Sequence, residues 1–148
     1  MGKFFGTYER NLDAKNRLQL PSKLVKEVPE HFYLLRGFEG AISIYEENDF
    51  NAYLADLEKM NFLSEKARTY MRLALSSVEV LDVDSHGRIS ISASTMKRYK
   101  LSSEIVIIGV LDHFEIWDKK AYEDYQEKND ETYEEIAEDL SVLGKEAQ

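Results

Sequence analysis

At 148 residues, with 43% hydrophobic and 11% aromatic side chains, the chain suits one domain with a buried core and is too apolar for wholesale disorder. It has no cysteine, which excludes disulfides and cysteine-based zinc sites and agrees with a reducing cytoplasm. The formal net charge of −9 argues against a uniformly basic nucleic-acid binder. The acidity is uneven, however. Residues 118–148 carry eleven acids against four lysines, net −7, which leaves −2 for residues 1–117. The first thirty residues hold six bases (Lys3, Arg10, Lys15, Arg17, Lys23, Lys26) against four acids. The longest apolar run, 105–111, is far too short to span a bilayer, so no membrane association is expected. The first residues carry one lysine and no apolar stretch, so no secretory signal is expected either.

In chain order, 6–20 reads as two strands about a turn. Pro21 suits the first position of a short helix over 22–28, where its missing N–H is unpaired anyway. Residues 32–35 and 41–45 read as a hairpin turning through Gly37-Phe38-Glu39-Gly40. Asn48 suits the N-cap of a helix with Phe50, Tyr53, Leu54 and Leu57 on one face. Ser64 caps another, with Ala67, Tyr70, Met71, Ala74 and Leu75 at helical spacing. The order then repeats, with strands at 78–82 and 88–91, a short helix at 93–99, a hairpin of 104–110 with 114–117, and a helix at 119–127. Thr132-Tyr133-Glu134-Glu135 reads as a capping box opening a last helix, whose stripe is Tyr133, Ile136, Ala137 and Leu140 and which Gly144 ends. Such a narrow stripe must lie on something, either its own subunit or a neighbour.

The repetition extends to single residues. Asp13-Ala14-Lys15-Asn16-Arg17 returns as Asp84-Ser85-His86-Gly87-Arg88, a shift of 71. Leu34-Leu35-Arg36-Gly37 answers Val106-Ile107-Ile108-Gly109 at a shift of 72, as Ile44-Tyr45-Glu46 answers Ile116-Trp117-Asp118. Two copies are too few for a solenoid and suit one body with pseudo-two-fold symmetry. Each D-x-x-x-R motif lies between an apolar residue and an alternating run, which predicts a tight β-hairpin. The aspartate accepts backbone N–H groups of its own turn. Asn16 and Gly87 share the fourth position and are the residue types that best tolerate positive φ. Arg17 and Arg88 then leave the turns in the same local frame.

These residues resemble the MraZ family, bacterial proteins with two D-x-x-x-R motifs on tandem AbrB-like units. Gly6-Thr7-Tyr8, Leu20-Pro21-Ser22-Lys23, Arg36-Gly37-Phe38 and Phe114-Glu115-Ile116-Trp117 carry the resemblance further, from about Gly6 to Tyr125. It implies an α+β fold: a pseudo-two-fold tandem duplication of an AbrB/SpoVT-like swapped-hairpin β-barrel with flanking helices. The expected divisions are a first repeat at 6–56, connecting helices at 57–76, a second repeat at 77–125 and an acidic C-terminal helix at 126–148. The implied function is transcription regulation without catalysis, by binding double-stranded DNA at direct repeats in the promoter of the protein's own division and cell-wall gene cluster. It further implies a ring-shaped homo-oligomer, which the small basic face of one subunit favours, because linked weak sites multiply affinity. The compartment would be the cytoplasm, at the nucleoid. One departure stands out. Ile91-Ser92-Ala93 occupies the place of Leu20-Pro21-Ser22, where the family often has proline in both copies, so a looser second short helix is expected.

The residues expected at the DNA are Lys15, Asn16 and Arg17 in the first turn and His86, Gly87 and Arg88 in the second. A two-stranded ribbon fits the major groove, where arginine reads guanine O6 and N7 with two hydrogen bonds while lysine contacts phosphate. Asp13 and Asp84 face phosphate poorly and are assigned to bracing the turns and orienting the arginines. Lys15 makes the first turn more basic, so it is expected to contribute more binding energy. Asp82, Asp84 and His86 alternate as metal ligands could, but their counterparts are Asn11, Asp13 and Lys15, and a lysine in a ligand position argues against a metal. No nucleophile elbow, phosphate loop or dinucleotide fingerprint is present, so neither enzymatic activity nor a cofactor is expected. The alternatives are a scaffolding ring that acts through protein partners, and an antitoxin-like protein whose C-terminal segment masks a toxin.

Overall fold

The computed structural model describes residues 4–24 and 27–146, and the fold is α+β. Its strands are β1 (Thr7–Asn11), β2 (Arg17–Gln19), β3 (His31–Arg36), β4 (Ile42–Tyr45), β5 (Glu79–Asp82), β6 (Arg88–Ser90), β7 (Glu104–Gly109) and β8 (Phe114–Asp118). Its helices are α1 (Glu47–Glu58), α2 (Glu65–Leu75), α3 (Ala93–Arg98), α4 (Lys119–Asn129) and α5 (Tyr133–Glu146).

Six strands form one antiparallel sheet in the order β1-β7-β8-β4-β3-β5, and β2 with β6 forms a separate ribbon. Exchanging β1 with β5, β3 with β7 and β4 with β8 reverses that order and returns the same sheet. This is the pseudo-two-fold symmetry of the duplication. Its axis runs between Ser43 and Glu115 in the sheet and between Leu18 and Ile89 in the ribbon, both pairs of equivalent residues facing each other.

The two expected motif hairpins are corrected here. Each turn closes locally, with the Asp13 amide donating to the Arg17 carbonyl at 3.1 Å and the Asp84 amide to the Arg88 carbonyl at 3.0 Å. The strands then part: β1 pairs with β7, β5 with β3, and β2 with β6. The alternating pattern fits any antiparallel partner, so the partner is settled by burial. Leu18, Phe32, Leu34 and Ile44 of the first copy share one core with Ile89, Ile105, Ile107 and Phe114 of the second. Each such side chain contributes about 1.5–3 kcal/mol when buried, and neither copy could bury its apolar face alone.

Structural equivalence also shifts where the sequence match did not. It is 71 for β2 and β6 and 72 for β4 and β8, but their hairpin partners β3 and β7 stand 73 apart, which aligns Arg36 with Gly109. The second copy is longer before β7 and has a tighter turn after it.

The short helices reverse the expectation from proline. Ser92 caps α3, its Oγ accepting the Thr95 amide at 3.2 Å, so the second copy holds the regular helix. In the first copy the Leu24 amide donates to the Pro21 carbonyl at 3.0 Å and residues 22–24 form only a turn, while Val25 and Lys26 lie outside the described residues. α1 begins at Glu47, so Asn48 lies inside its first turn and Glu46 precedes it without a side-chain cap. Phe50 anchors that helix by stacking on Tyr33, 4.4 Å between centroids. Ser64 caps α2 as expected, accepting the Ala67 amide.

Thr132 does not open a capping box. Its hydroxyl donates to the Asn129 carbonyl at 3.0 Å within a 3₁₀ turn, Asp130–Thr132, and α5 runs through Gly144 to Glu146. α4 rests on the body through Tyr122 and Tyr125, whose rings lie 5.2 and 5.0 Å from Trp117. The α5 stripe lies open, with Tyr133 at 75%, Ile136 at 45% and Leu140 at 62% exposure.

Candidate nucleic-acid interface

The two turns are built alike, atom for atom. Asp13 Oδ1 accepts the amides of Lys15 and Arg17, both at 2.9 Å, and Oδ2 accepts Arg17 Nε at 2.6 Å. Asp84 Oδ1 accepts the amides of His86 and Arg88, both at 2.9 Å, and Oδ2 accepts Arg88 Nε at 2.8 Å. Asn16 at φ 56° and Gly87 at φ 75° supply the left-handed residue each turn requires. The Arg88 amide bond outweighs desolvation and, with the His86 amide and the Arg88 guanidinium, holds the Asp84 carboxyl down at about 2. The Arg17 amide does most to lower Asp13 in the same way.

Backbone hydrogen bonds lock the turns to each other. The Leu20 amide donates to the Gly87 carbonyl at 3.1 Å, and its equivalent, the Ile91 amide, donates to the Asn16 carbonyl at 2.9 Å. Arg88 Nη1 also lies 3.9 Å from Asp13 Oδ2, so the motifs share charge as well as backbone.

The ribbon therefore has two faces. Leu18 and Ile89 point into the core, and the cross-strand pairs Arg17/Ser90 and Gln19/Arg88 form the outer face. With each Nε tied to an aspartate, the terminal Nη groups are the edge left to an arginine for two parallel hydrogen bonds to a planar acceptor pair. Lys15 and His86 stand exposed at the turn tips. His86 Nδ1 lies 3.3 Å from Ser85 Oγ and 3.5 Å from Arg88 Nη2. Asp13, Arg17, Asp84 and Arg88 cancel in formal charge, and Lys15 adds the excess positive charge of the turns.

The sequence reading placed eight residues in the turns, and all eight come together at the ribbon. It passed over Gln19 and Ser90, which lie between the arginines on the same face. The signal was the alternation Leu18-Gln19-Leu20, which puts Gln19 beside Arg17 once Leu18 points inward. Gln19 Nε2 donates to the His86 carbonyl at 2.9 Å and so ties the second turn to the first strand pair. Its equivalent Ser90 is too short to do the same for the first turn.

Among the described residues no cluster of three or more His, Cys, Asp or Glu could hold a metal ion, and no helix is long and apolar enough to cross a membrane.

The chain matches the family model described as "MraZ protein, putative antitoxin-like" twice, over residues 3–73 and 75–142. Curated relatives named transcriptional regulator MraZ span nearly the same length. The protein from Lactobacillus delbrueckii subsp. bulgaricus is 39% identical over 140 residues, which covers 95% of this chain and 98% of that one. The relative from Mycoplasmoides gallisepticum is 36% identical over 137 residues, covering 93% and 96%. That from Clostridium tetani is 34% identical over 141 residues, covering 95% and 99%. With both halves matched and this likeness running along the whole sequence, the chain belongs to the MraZ family.

Proposed function

We propose that this protein is a non-enzymatic transcriptional regulator that reads promoter DNA with the outer face of the β2–β6 ribbon. The observation that carries the reading is the pairing of two aspartate-braced arginines on one two-stranded ribbon. A ribbon of this kind fits the major groove of B-DNA, with Arg17 and Arg88 on guanine edges and Gln19 beside them on adenine. Lys15 and His86 at the tips lie in position for the flanking phosphates. The aspartates hold the arginines in one rotamer, so little side-chain entropy is lost on binding.

The near-neutral motif charge and the total of −9 make one subunit a weak binder. A homo-oligomeric ring that offers several ribbons to successive direct repeats restores affinity by linkage. The names of the relatives support the regulatory role. We place the protein in the cytoplasm at the nucleoid, on the promoter of its own division and cell-wall gene cluster.

The test is a gel-shift titration with the DNA upstream of the protein's own gene, at about 50 and about 200 mM salt. Wild type shifts the promoter ahead of random DNA of equal length and loses affinity with salt, and Arg17→Ala abolishes the specific shift. An assembled oligomer that binds neither DNA refutes the reading. One observation favours a second reading, a scaffold acting through proteins: the open apolar stripe on the acidic α5. Reversing charges on α5 while DNA binding persists, with loss of function in the cell, would favour it.

A further inference from the structure

The β3–β4 turn, α2 and the end of α3 enclose a cleft of about 640 Å³ that takes no part in the turn motifs. Its volume falls within the roughly 300–1,000 Å³ of small-molecule sites. Arg36, Arg98 and Lys100 line it against a single acid, Glu39. Among the described residues, none of these cations has a carboxylate within ion-pair distance. The chain carries 28 acids and 19 bases, so three unpaired cations on one cleft are a marked local excess. A half-enclosed cleft with three cations against one acid concentrates anions.

The remaining wall is apolar and open to solvent, with Phe38 at 67% and Leu73 at 50% exposure, and Tyr70 beside them. Arg98 lies over the Tyr99 ring, 5.7 Å from its centroid. The Tyr99 hydroxyl is a buried side-chain donor without a hydrogen-bond partner, and burial first of all keeps it protonated. Among the described residues, the counterparts of this lining across the pseudo-two-fold are different. Gly109 stands for Arg36, the turn at 110–113 carries Asp112, and residues 22–24, in the place where α3 begins, form a turn.

We propose that this cleft binds a small phosphorylated molecule with a planar ring, of the mononucleotide class. The phosphate lies between Arg36, Arg98 and Lys100, since guanidinium forks match phosphate oxygens two at a time. The ring lies on Phe38 and Tyr70. α3 follows β6 after only Ile91 and Ser92, so a ligand joining the end of α3 to the β3–β4 turn also braces the strand that carries Arg88. That coupling rests on the DNA-binding reading; the cleft's own affinity does not.

The experiment is calorimetric titration of the full chain, without DNA, using AMP, with inorganic phosphate and adenosine titrated separately. AMP binds saturably and each fragment binds more weakly. Arg36→Gln/Arg98→Gln raises the AMP Kd by about tenfold or more, and Lys100→Gln raises it less. All three side chains are exposed, so these variants keep the fold. Arg17→Gln/Arg88→Gln leaves AMP binding unchanged. Absence of saturable AMP binding overturns the proposal, as does binding that survives the cleft variants and disappears with the turn variant. Failure of DNA binding leaves this result untouched, so the two readings are tested apart.

Discussion

Leu18 and Ile89, equivalent residues of the two copies, face each other across β2 and β6, and both are completely buried. Each half of the molecule thus supplies the other's inward residue beneath the arginine face. Leu18→Ala should cost about 2–5 kcal/mol of stability and Ile89→Val about 0.5–1.5. Urea unfolding measures both, and the Leu18→Ala/Ile89→Ala pair should depart from additivity because the side chains share one cavity. A cost below about 1 kcal/mol for Leu18→Ala would mean that the ribbon is not anchored in the core.

Arg17→Ala is expected to weaken promoter binding more than Arg88→Ala, because Lys15 stands beside the first arginine and, among the described residues, has no ion-pair partner. A gel shift of both variants on one promoter fragment decides it, and a larger loss for Arg88→Ala refutes the ranking. Gln19→Ala should fall between wild type and the arginine variants. It removes a hydrogen bond to the second turn but leaves both guanidiniums in place.

Acid should loosen the turns. Asp84 is held at about 2 against an ordinary 3.8, and Asp13 is lowered too. A carboxyl whose folded value lies below its unfolded one stabilises the fold above the unfolded value and loses that contribution as pH falls through the folded one. Between about pH 5 and about pH 2, the urea midpoint of wild type should therefore fall further than that of Asp84→Asn. Parallel curves for the two proteins would show that Asp84 is no better bonded folded than unfolded.

Gly109→Ala should be strongly destabilising although Gly109 has ordinary backbone angles. An added Cβ would stand 2.6 Å from Phe5 Cα, against main chain that cannot swing aside. Phe4 would shift with it, and Phe4 is buried with its ring edge-on to Phe114 at 5.7 Å. The expected loss is about 1–3 kcal/mol, read as a lower thermal midpoint. An unchanged midpoint would mean that the N-terminal segment does not pack against β7.

In the proposed oligomer, the groove between α4 and α5, about 450 Å³ and lined by Tyr125, Tyr133, Ile136 and Leu140, is the expected seat of subunit contact. Ile136→Glu/Leu140→Glu should reduce the mass seen in light scattering and leave the unfolding midpoint of the body nearly unchanged. A variant that assembles like wild type would place the contact elsewhere.

Much of the site was legible because it is local. An aspartate four residues before an arginine, with Asn16 or Gly87 between, defines a turn whose hydrogen bonds all lie within five residues. Ser64 was legible for the same reason. What escaped was non-local. β1 reads the same whether its partner is β2, close in sequence, or β7, the far hairpin it actually joins. Only joint burial of Phe32, Ile105 and Phe114 selects the latter. The capping box failed because Thr132 closes the 3₁₀ turn that runs straight into α5, its hydroxyl turned back to donate to the Asn129 carbonyl. Pro21 misled because permission to begin a helix does not supply the cap that Ser92 provides in the second copy.

The exchange of strands between copies also governs when the molecule can come into being. Thr7 pairs with Ile108 and Arg17 with Ser90, so on the ribosome the opening segment waits unpaired until most of the chain has emerged. Long-range pairing of this sort makes folding slow and leaves strand edges exposed meanwhile. A prematurely ended translation product lacking β7 would also lack β8, leaving β1 without its partner and the sheet reduced to β4-β3-β5. The paired arginine face is in that sense a certificate that the ribbon strand of the second copy has been made.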